Sequence, residues 1–433
     1  MKKRIALLLA AAMTLTTVLT GCGKGTATSG GEAKASGDKI TLTVWSWDVA
    51  LLQLQAASEK FKETHENVEF VFEEMGTDQV YAKLATSLAT GSGLADIIQI
   101  ESEMLSGYAN KYPDGFITMD DIVNKDDFLP VKLGEVTVND KLYGFPWDAG
   151  PMALFYRTDY FEQAGVKPED IVTWDDFIEA GKKVTATCKT PKGDPVKMVP
   201  IDPVKTNFYR IPLAELGGGF FDAEGNTAVN SPESIQAMEM SKKIYDAGIV
   251  QNYSGWDEYE GVVVNETVAT IPEAVWMIGT IKDKGPQTAG KWGVMDLPKF
   301  TADGNGSASN GGSNLTVPAK SENAEMAKEF IKFALTDHQL QADGFVNYGL
   351  FPSYIPSYDN EAFTKPDEFF SNQKIYETFI ALGKEIPLPI YTENYQEATE
   401  TAKSAVSKVL LEGADVTATM NDLQNQLVNK FGK

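Results

Sequence analysis

The apolar positions of the chain recur with two periods. Ile40 to Trp45 alternates as a half-buried strand does, and Val68, Phe70 and Phe72 alternate in a second strand. Leu54, Ala57 and Phe61 recur at helical spacing between them. Val80, Leu84 and Leu88 do the same after the second strand, up to Gly91, a residue suited to ending a helix. Ala95 to Ile100 is a third apolar run of strand length. Strand and helix in alternation predict an α/β fold with a largely parallel sheet, whose ligands bind at the carboxyl ends of strands. Trp45, Trp47, Asp48, Glu101 and Glu103 fall at those ends.

The stretch Leu142 to Tyr156 couples a short aromatic strand to an apolar one, Met152 to Tyr156, across a break at Pro146, Gly150 and Pro151. Trp147 and Asp148 sit inside the break. Pro and Gly mark where a strand bends or stops, so the stretch reads as a kinked strand or as a crossover between two lobes. At 433 residues the chain exceeds what one core usually supports, which makes two lobes the prior expectation.

Further along, Thr173 can cap a helix whose first turn holds Asp175 and Asp176, and Ser231-Pro232 opens another. Val268 to Pro272 is strand-like and leads to Trp276, and Lys291 to Leu297 is again strand-like. A Gly/Ser/Asn-rich loop, Gly304 to Ser313, leads into a strand from Asn314 to Pro318. Asn323 can cap a helix from Ala324 to Leu335. The chain is mainly helical from Asn372 on, interrupted at Pro387-Leu388-Pro389.

The N-terminus adds a location. Lys2, Lys3 and Arg4 precede an apolar run from Ile5 to Val18 and then Leu19-Thr20-Gly21-Cys22, the layout of a secretory signal over residues 1–21. The ending resembles the lipobox of bacterial lipoproteins, which implies cleavage before Cys22 and a lipid anchor on its sulfur. The alternative is an ordinary signal, with Cys22 a bystander. Residues 22–39 then form a flexible tether rich in Gly, Ser, Thr, Ala and Lys. Losing the leader takes the formal charge from −23 to −26. So acidic a chain lacks the clustered Lys and Arg that nucleic acid or an anionic membrane surface requires. With Cys22 lipidated, Cys188 has no partner for a disulfide.

Catalytic signatures are thin. His65 and His338 are the two histidines, both in segments that read as C-terminal ends of surface helices, which argues against a His-based metal site or triad. Gly217-Gly218-Gly219 follows an apolar helix, Ile211 to Leu216, and reads as its cap rather than a phosphate loop. Asp120-Asp121, Asp126-Asp127 and Asp175-Asp176 suit turns and helix starts. No metal and no cofactor are expected. A glycosidase needs only two carboxylates and stays open as the enzymatic alternative.

Leu142-Tyr143-Gly144-Phe145-Pro146, then Leu154-Phe155-Tyr156-Arg157, Phe161, Ala164-Gly165 and Thr173-Trp174-Asp175-Asp176-Phe177, resemble the central signature of extracellular solute-binding proteins, family 1. Ala95 to Ile98, Gly217 to Asp222, Val268 to Trp276, Gly311 to Ser313, Ala327 to Asp337 and Gly349 to Ser353 agree in order from about Ile40 to the C-terminus. The family serves bacterial sugar ABC importers, and a maltose binder is its best-known member. The resemblance implies a two-lobed periplasmic-binding-protein-like fold (type II), with a ligand cleft between lobes joined by hinge segments. It places the first lobe at 40–149 plus 303–352 and the second at 153–298 plus 355–433.

By the same resemblance the expected carbohydrate contacts are Trp45, Trp47, Asp48, Glu101, Ser102, Glu103, Trp147, Asp148, Phe208, Tyr209, Arg210, Trp276, Gly311, Gly312, Ser313 and Tyr354, and Trp256, read as lying in a loop, is added for the flat apolar face its ring could offer a sugar. Trp174 and Trp292 read as core packing. The expected partners are an extracellular sugar, such as an arabino-oligosaccharide or a galactoside like lactose, and the permease subunits of an ABC importer. The protein is expected to be a monomer on the extracytoplasmic side, lipid-anchored to the cell membrane (its outer face in a Gram-positive bacterium, or the periplasm). A polyamine or glycerol phosphate is the alternative solute; scarce His argues against ferric iron.

Overall fold

The structure, a computed structural model, describes residues 39–432. The leader, Cys22 and nearly all of the tether lie outside the described residues. The first sheet has five strands, in the order Val68–Glu74, Ile40–Ser46, Ile97–Glu101, Ser313–Thr316 and Phe145–Pro146. The first three run parallel, as the alternation of strand and helix predicts. Ser313–Thr316 returns late in the chain and inserts antiparallel between Ile97–Glu101 and Phe145–Pro146. Helix Asp48–Lys62 sends Leu54, Ala57 and Phe61 into a core shared with Leu42, Val44, Ile97, Leu84, Phe330 and Leu315. Helix Thr77–Thr90 ends on Gly91 in the left-handed conformation.

The second sheet centres on Met152–Arg157, with Thr270–Ala274 and Trp292–Met295 antiparallel on either side. A two-stranded parallel pair, Val199–Ile201 and Val250–Asn252, joins its edge where Thr270 N donates to Met198 O at 2.8 Å. Trp174, buried at the start of helix Trp174–Thr187, belongs to the core of this part. Thr173 caps that helix as expected, its hydroxyl accepting from Asp176 N at 3.2 Å and its N–H donating to the Asp176 carboxylate at 2.8 Å. A third buried cluster gathers Phe155, Ile271 and Trp292 with Phe345, Phe351 and Phe379.

Within Leu142 to Tyr156 the chain crosses from the first sheet to the second rather than continuing as one kinked strand. Phe145–Pro146 is the edge of one sheet, and Met152–Arg157 is the middle of the other. Between them Asp148–Ala149 pairs antiparallel with Phe351–Pro352. The returning segment lies alongside: Asn310 N donates to Gly150 O at 3.0 Å, and Met152 N to Ala308 O at 3.0 Å. Three stretches of backbone thus meet in one hinge. They meet too closely for side chains, since a Cβ on Gly150 would sit 2.1 Å from Asn310 O. One on Gly312 would sit 2.3 Å from Asp148 O, at a φ of +89°.

Two local expectations need correction. Asn323 precedes helix Ala324–Thr336 but makes no side-chain cap; its amide donates to Thr41 O at 3.2 Å and Asp96 Oδ1 at 3.3 Å, tying the helix entrance to the sheet. His338 opens helix His338–Tyr348, behind Asp337 as the cap, rather than closing one.

The hinge makes the first prediction. Gly312→Ala must push Asp148 backbone aside and hold a positive φ, a combination of overpacking and strain worth about 1–3 kcal/mol. Its thermal midpoint should fall clearly below the parent's, and an unchanged midpoint would contradict the close backbone approach.

Candidate functional site

Each sheet ends its strands at the same opening. Ile40–Ser46 stops at Trp47, and the chain turns into a helix through Asp48, whose φ of +52° is costly for a residue with a Cβ. Ile97–Glu101 turns at once into helix Ser102–Lys111, leaving Glu101 and Glu103 at the turn. Facing them, Thr270–Ala274 ends just before Trp276, helix Gly255–Val264 brings Trp256 and Tyr259, and helix Asn207–Glu215 brings Arg210. The hinge residues Asp148, Asn310, Gly311, Gly312 and Ser313 complete the cleft, which encloses about 850 Å³. That is the size of a small-molecule site.

One wall is aromatic. The rings of Trp276 and Trp256 lie 5.8 Å apart, Trp256 and Tyr259 5.6 Å, and Tyr253 and Tyr259 4.7 Å. Trp276 is aimed by the hinge, since its Nε1 donates to Asn310 O at 3.2 Å. Asn310 is held in turn by its amide donating to Glu273 Oε1 at 2.8 Å, and Glu273 also accepts from Tyr259 OH at 3.1 Å. Trp47 stands among the cleft residues of the first sheet, edge-on to Tyr81 at 6.3 Å.

The charge in the cleft is mostly negative. Seven carboxylates line it (Asp48, Glu74, Glu101, Glu103, Asp148, Asp202 and Glu273), against Lys205 and Arg210. Arg210 Nη2 pairs with Glu103 Oε2 at 2.7 Å, linking a helix of one sheet's surroundings to a helix of the other's. Burial, and then the neighbouring Glu103, push Glu101 up to about 7, although Tyr81 OH donates to it at 2.8 Å. Burial likewise lifts Asp148 to about 6 against the pull of Lys132, while its Oδ1 accepts from Ser313 N at 2.7 Å. Burial raises Glu273 as well. These groups give the cleft fixed acceptors and flat apolar faces. Among the described residues no cluster of three or more His, Cys, Asp or Glu is placed to hold a metal ion.

Of the residues expected to touch a ligand, eleven line the cleft: Trp47, Asp48, Glu101, Glu103, Asp148, Arg210, Trp256, Trp276, Gly311, Gly312 and Ser313. Six do not. Trp45 is 1% exposed in a strand end buried on both faces, with Lys83 Nζ 4.2 Å over its ring. Trp147 is buried, its Nε1 donating to Gln53 Oε1 at 3.0 Å. Ser102 lies beneath the cleft floor, taking a bond from Lys132 Nζ at 2.6 Å and giving one to Gly312 O at 3.2 Å. Phe208 packs edge-on to Trp174, and Tyr209 OH reaches Ser234 Oγ at 2.6 Å, so that of the three consecutive residues only Arg210 faces the opening. Tyr354 packs on Phe128 and His338 instead. Trp292, expected in the core, is there.

Sequence reasoning missed Tyr253, Tyr259, Glu273 and Asn310. Tyr259 follows Trp256 by three residues, a spacing that places their side chains together on helix Gly255–Val264, whereas Tyr253 precedes that helix and carries no such signal. Glu273 is an acid inside an otherwise apolar strand, itself a signal of a buried polar role. A groove of about 630 Å³ between helices Trp174–Thr187 and Pro232–Asp246 is a weaker site, because its charges pair with each other, Lys243 with Asp175 at 2.5 Å and Lys182 with Glu179 at 2.7 Å.

Residues 56–371 match the family model described as bacterial extracellular solute-binding protein. The lactose-binding protein of Rhizobium radiobacter is 29% identical over 401 residues, 90% of this chain and 93% of that protein. The arabinooligosaccharide-binding protein of Bacillus subtilis is 28% identical over 351 residues, 77% of this chain and 76% of that protein. Among solved structures, the ABC transporter associated binding protein from B. animalis subsp. lactis, in complex with beta-1,6-galactobiose, superposes with a TM-score of 0.77 at 24% identity, covering 91% of this chain and 98% of that one. The GacH receptor of Streptomyces glaucescens does so with a TM-score of 0.77 at 18% identity, over 90% and 98% of the two chains. The fold is that of the periplasmic binding proteins, as expected.

The raised carboxylates predict a pH dependence. Glu101 keeps its proton up to about pH 7 when folded but only to its ordinary value of 4.5 when unfolded. The folded state therefore binds more protons across that window, and the group's contribution to stability falls as pH rises through it. Glu101→Gln should gain on the parent in thermal midpoint between about pH 5 and pH 8. A difference that stays constant over that range would contradict the account.

Proposed function

Since the chain belongs to the bacterial extracellular solute-binding proteins, receptors rather than enzymes, we propose that it captures a sugar in this cleft and delivers it to the permease subunits of an ABC importer. The observation that carries the reading is the aromatic wall of Trp276, Trp256, Tyr259 and Tyr253 in the same cleft as the carboxylates Glu101 and Asp148. A pyranose or furanose has apolar C–H faces, which flat rings cover, and a rim of hydroxyls, which charged acceptors bind more strongly than neutral ones. An oligosaccharide such as a galactoside or an arabino-oligosaccharide fits the room available, and relatives named for lactose and for arabino-oligosaccharides support that choice.

The lobes are proposed as 40–149 plus 303–352 and 153–298 plus 355–433, turning about the hinge at Gly150 and Gly312. Ligand closes them only through tighter binding to the closed form. The Arg210–Glu103 pair, which spans the cleft, is a contact that closure would use. The acidity of the cleft favours a polyamine as the second reading, since an ammonium group is attracted both by carboxylates and by aromatic faces.

A thermal-shift screen of neutral saccharides and polyamines tests this reading. A ligand at a hundredfold excess over its dissociation constant should stabilise the protein by about 2.7 kcal/mol. Trp276→Ala removes a central anchor worth about 2 kcal/mol or more, so affinity for the sugar should fall roughly thirtyfold. Calorimetry showing equal affinity in the variant would move the site elsewhere in the cleft.

The lipobox-like Leu19-Thr20-Gly21-Cys22 supports an anchor at Cys22. Cys22→Ser should leave the protein in the soluble fraction, because the acidic body offers an anionic membrane nothing to hold. Finding that variant still membrane-bound with its leader removed would contradict the lipid anchor.

A further inference from the structure

Beneath the cleft floor lies a lysine that solvent does not reach. Lys132, on the short helix Pro130–Val136, is wholly buried, and its Nζ stands 2.7 Å from Glu135 Oε2. A buried ion pair is weak ground for stability, because apolar packing often serves as well. The other bonds of Lys132 lead to the hinge. We propose that Lys132 is a positioning residue for ligand capture: its ammonium pins the cleft floor from below and keeps Asp148 a hydrogen-bond acceptor toward the ligand. The proposal rests on the saccharide reading above and adds to it a residue that does not itself line the cleft.

Two routes run from Lys132 to the cleft. Its Nζ donates to Ser102 Oγ at 2.6 Å. Ser102 in turn donates to Gly312 O, through its N–H at 3.0 Å and its hydroxyl at 3.2 Å. Ser102 Oγ also accepts from the Asn314 amide at 3.3 Å. Helix Ser102–Lys111 is thereby fixed to the returning segment at the point where Gly312 lies against the Asp148 backbone. The second route is electrostatic. Lys132 Nζ stands 3.5 Å from Ser313 O, and the N–H of the same Ser313 donates to Asp148 Oδ1 at 2.7 Å. Burial lifts Asp148 to about 6, and the pull of Lys132 is the largest influence against that rise. Glu135 acts in the opposite sense to Lys132, and Glu101 and Asp148 repel each other. Strands Ser313–Thr316 and Phe351–Pro352, which flank Asp148, carry no charged side chain. Without Lys132, burial would act almost unopposed, and Asp148 would keep its proton at neutral pH. A protonated carboxyl accepts a hydroxyl more weakly than a carboxylate does.

Two measurements on the folded protein test the proposal with Lys132→Met, which keeps an apolar stem and removes the charge. The first is carbon-13 NMR of the side-chain carboxyls without ligand, the Asp148 signal being assigned by its loss in Asp148→Asn. The Asp148 midpoint should lie at least about one pH unit higher in the variant than in the parent. The second is calorimetric titration with whichever of lactose, beta-1,6-galactobiose and maltose binds the parent most tightly. Near about pH 7 only the parent has Asp148 ionised, and affinity should be about tenfold weaker in the variant. The gap should close toward about pH 5 and about pH 9, where Asp148 carries the same charge in both proteins. If Lys132→Met does not melt cooperatively, the Lys132→Met, Glu135→Gln double variant, which leaves neither charge behind, carries the same test. An Asp148 midpoint that does not move overturns the proposal. A loss of affinity that is equal at every pH also overturns it, since that is the mark of a merely structural role. If none of the three sugars binds the parent while the midpoint still moves, the saccharide reading falls and the hold of Lys132 on Asp148 stands.

Discussion

The close approach of three backbone segments at Asp148 to Gly150, Asn310 to Ser313 and Phe351 to Pro352 is the constraint on which the rest of the molecule depends. Gly150 and Gly312 leave no room for a Cβ, so the segments touch main chain to main chain. Because they touch, Asp148 Oδ1 can take Ser313 N–H at 2.7 Å, and Asn310 O can take the indole N–H of Trp276 at 3.2 Å. The hinge therefore also aims an aromatic side chain and a carboxylate into the cleft. Movement of one sheet against the other would carry these groups with it.

Binding and stability pull in opposite directions in this cleft. Burial lifts Glu101, Asp148 and Glu273 above their ordinary values, which means that their charged forms are held in the fold at a cost. Tyr81 OH, Ser313 N–H and the Asn310 amide each donate to one of them and offset part of that cost. Acceptors already fixed by such bonds need little reordering when a ligand hydroxyl arrives. Asp48 adds a second kind of stored cost, a left-handed backbone at the first turn of a helix that faces the cleft.

Much of this was legible in the sequence, and what was not has physical reasons. The crossing at Leu142 to Tyr156 showed itself because Pro and Gly interrupt a strand pattern, and the strand ends at Asp48 and Glu101 followed from counting alternation. Trp45, Trp147, Phe208 and Tyr209 sit beside true cleft residues in the chain, yet their side chains face the core. A single position's shift reverses the face on a strand and turns it by about 100° on a helix, and sequence pattern resolves boundaries no better than that. The antiparallel insertion of Ser313–Thr316 and the bond from Asn310 to Glu273 join residues far apart in sequence, where no local pattern speaks.

The central claim is that a saccharide lies against the aromatic wall with its hydroxyls on the carboxylates. A crystal structure of the protein with the neutral saccharide that binds most tightly tests it most directly. The account predicts a sugar ring stacked on Trp276 or Trp256, with hydroxyls within hydrogen-bond reach of Glu101 or Asp148. A sugar bound in the groove beside Lys182 and Lys243, or in the cleft with no ring on either indole, would contradict it.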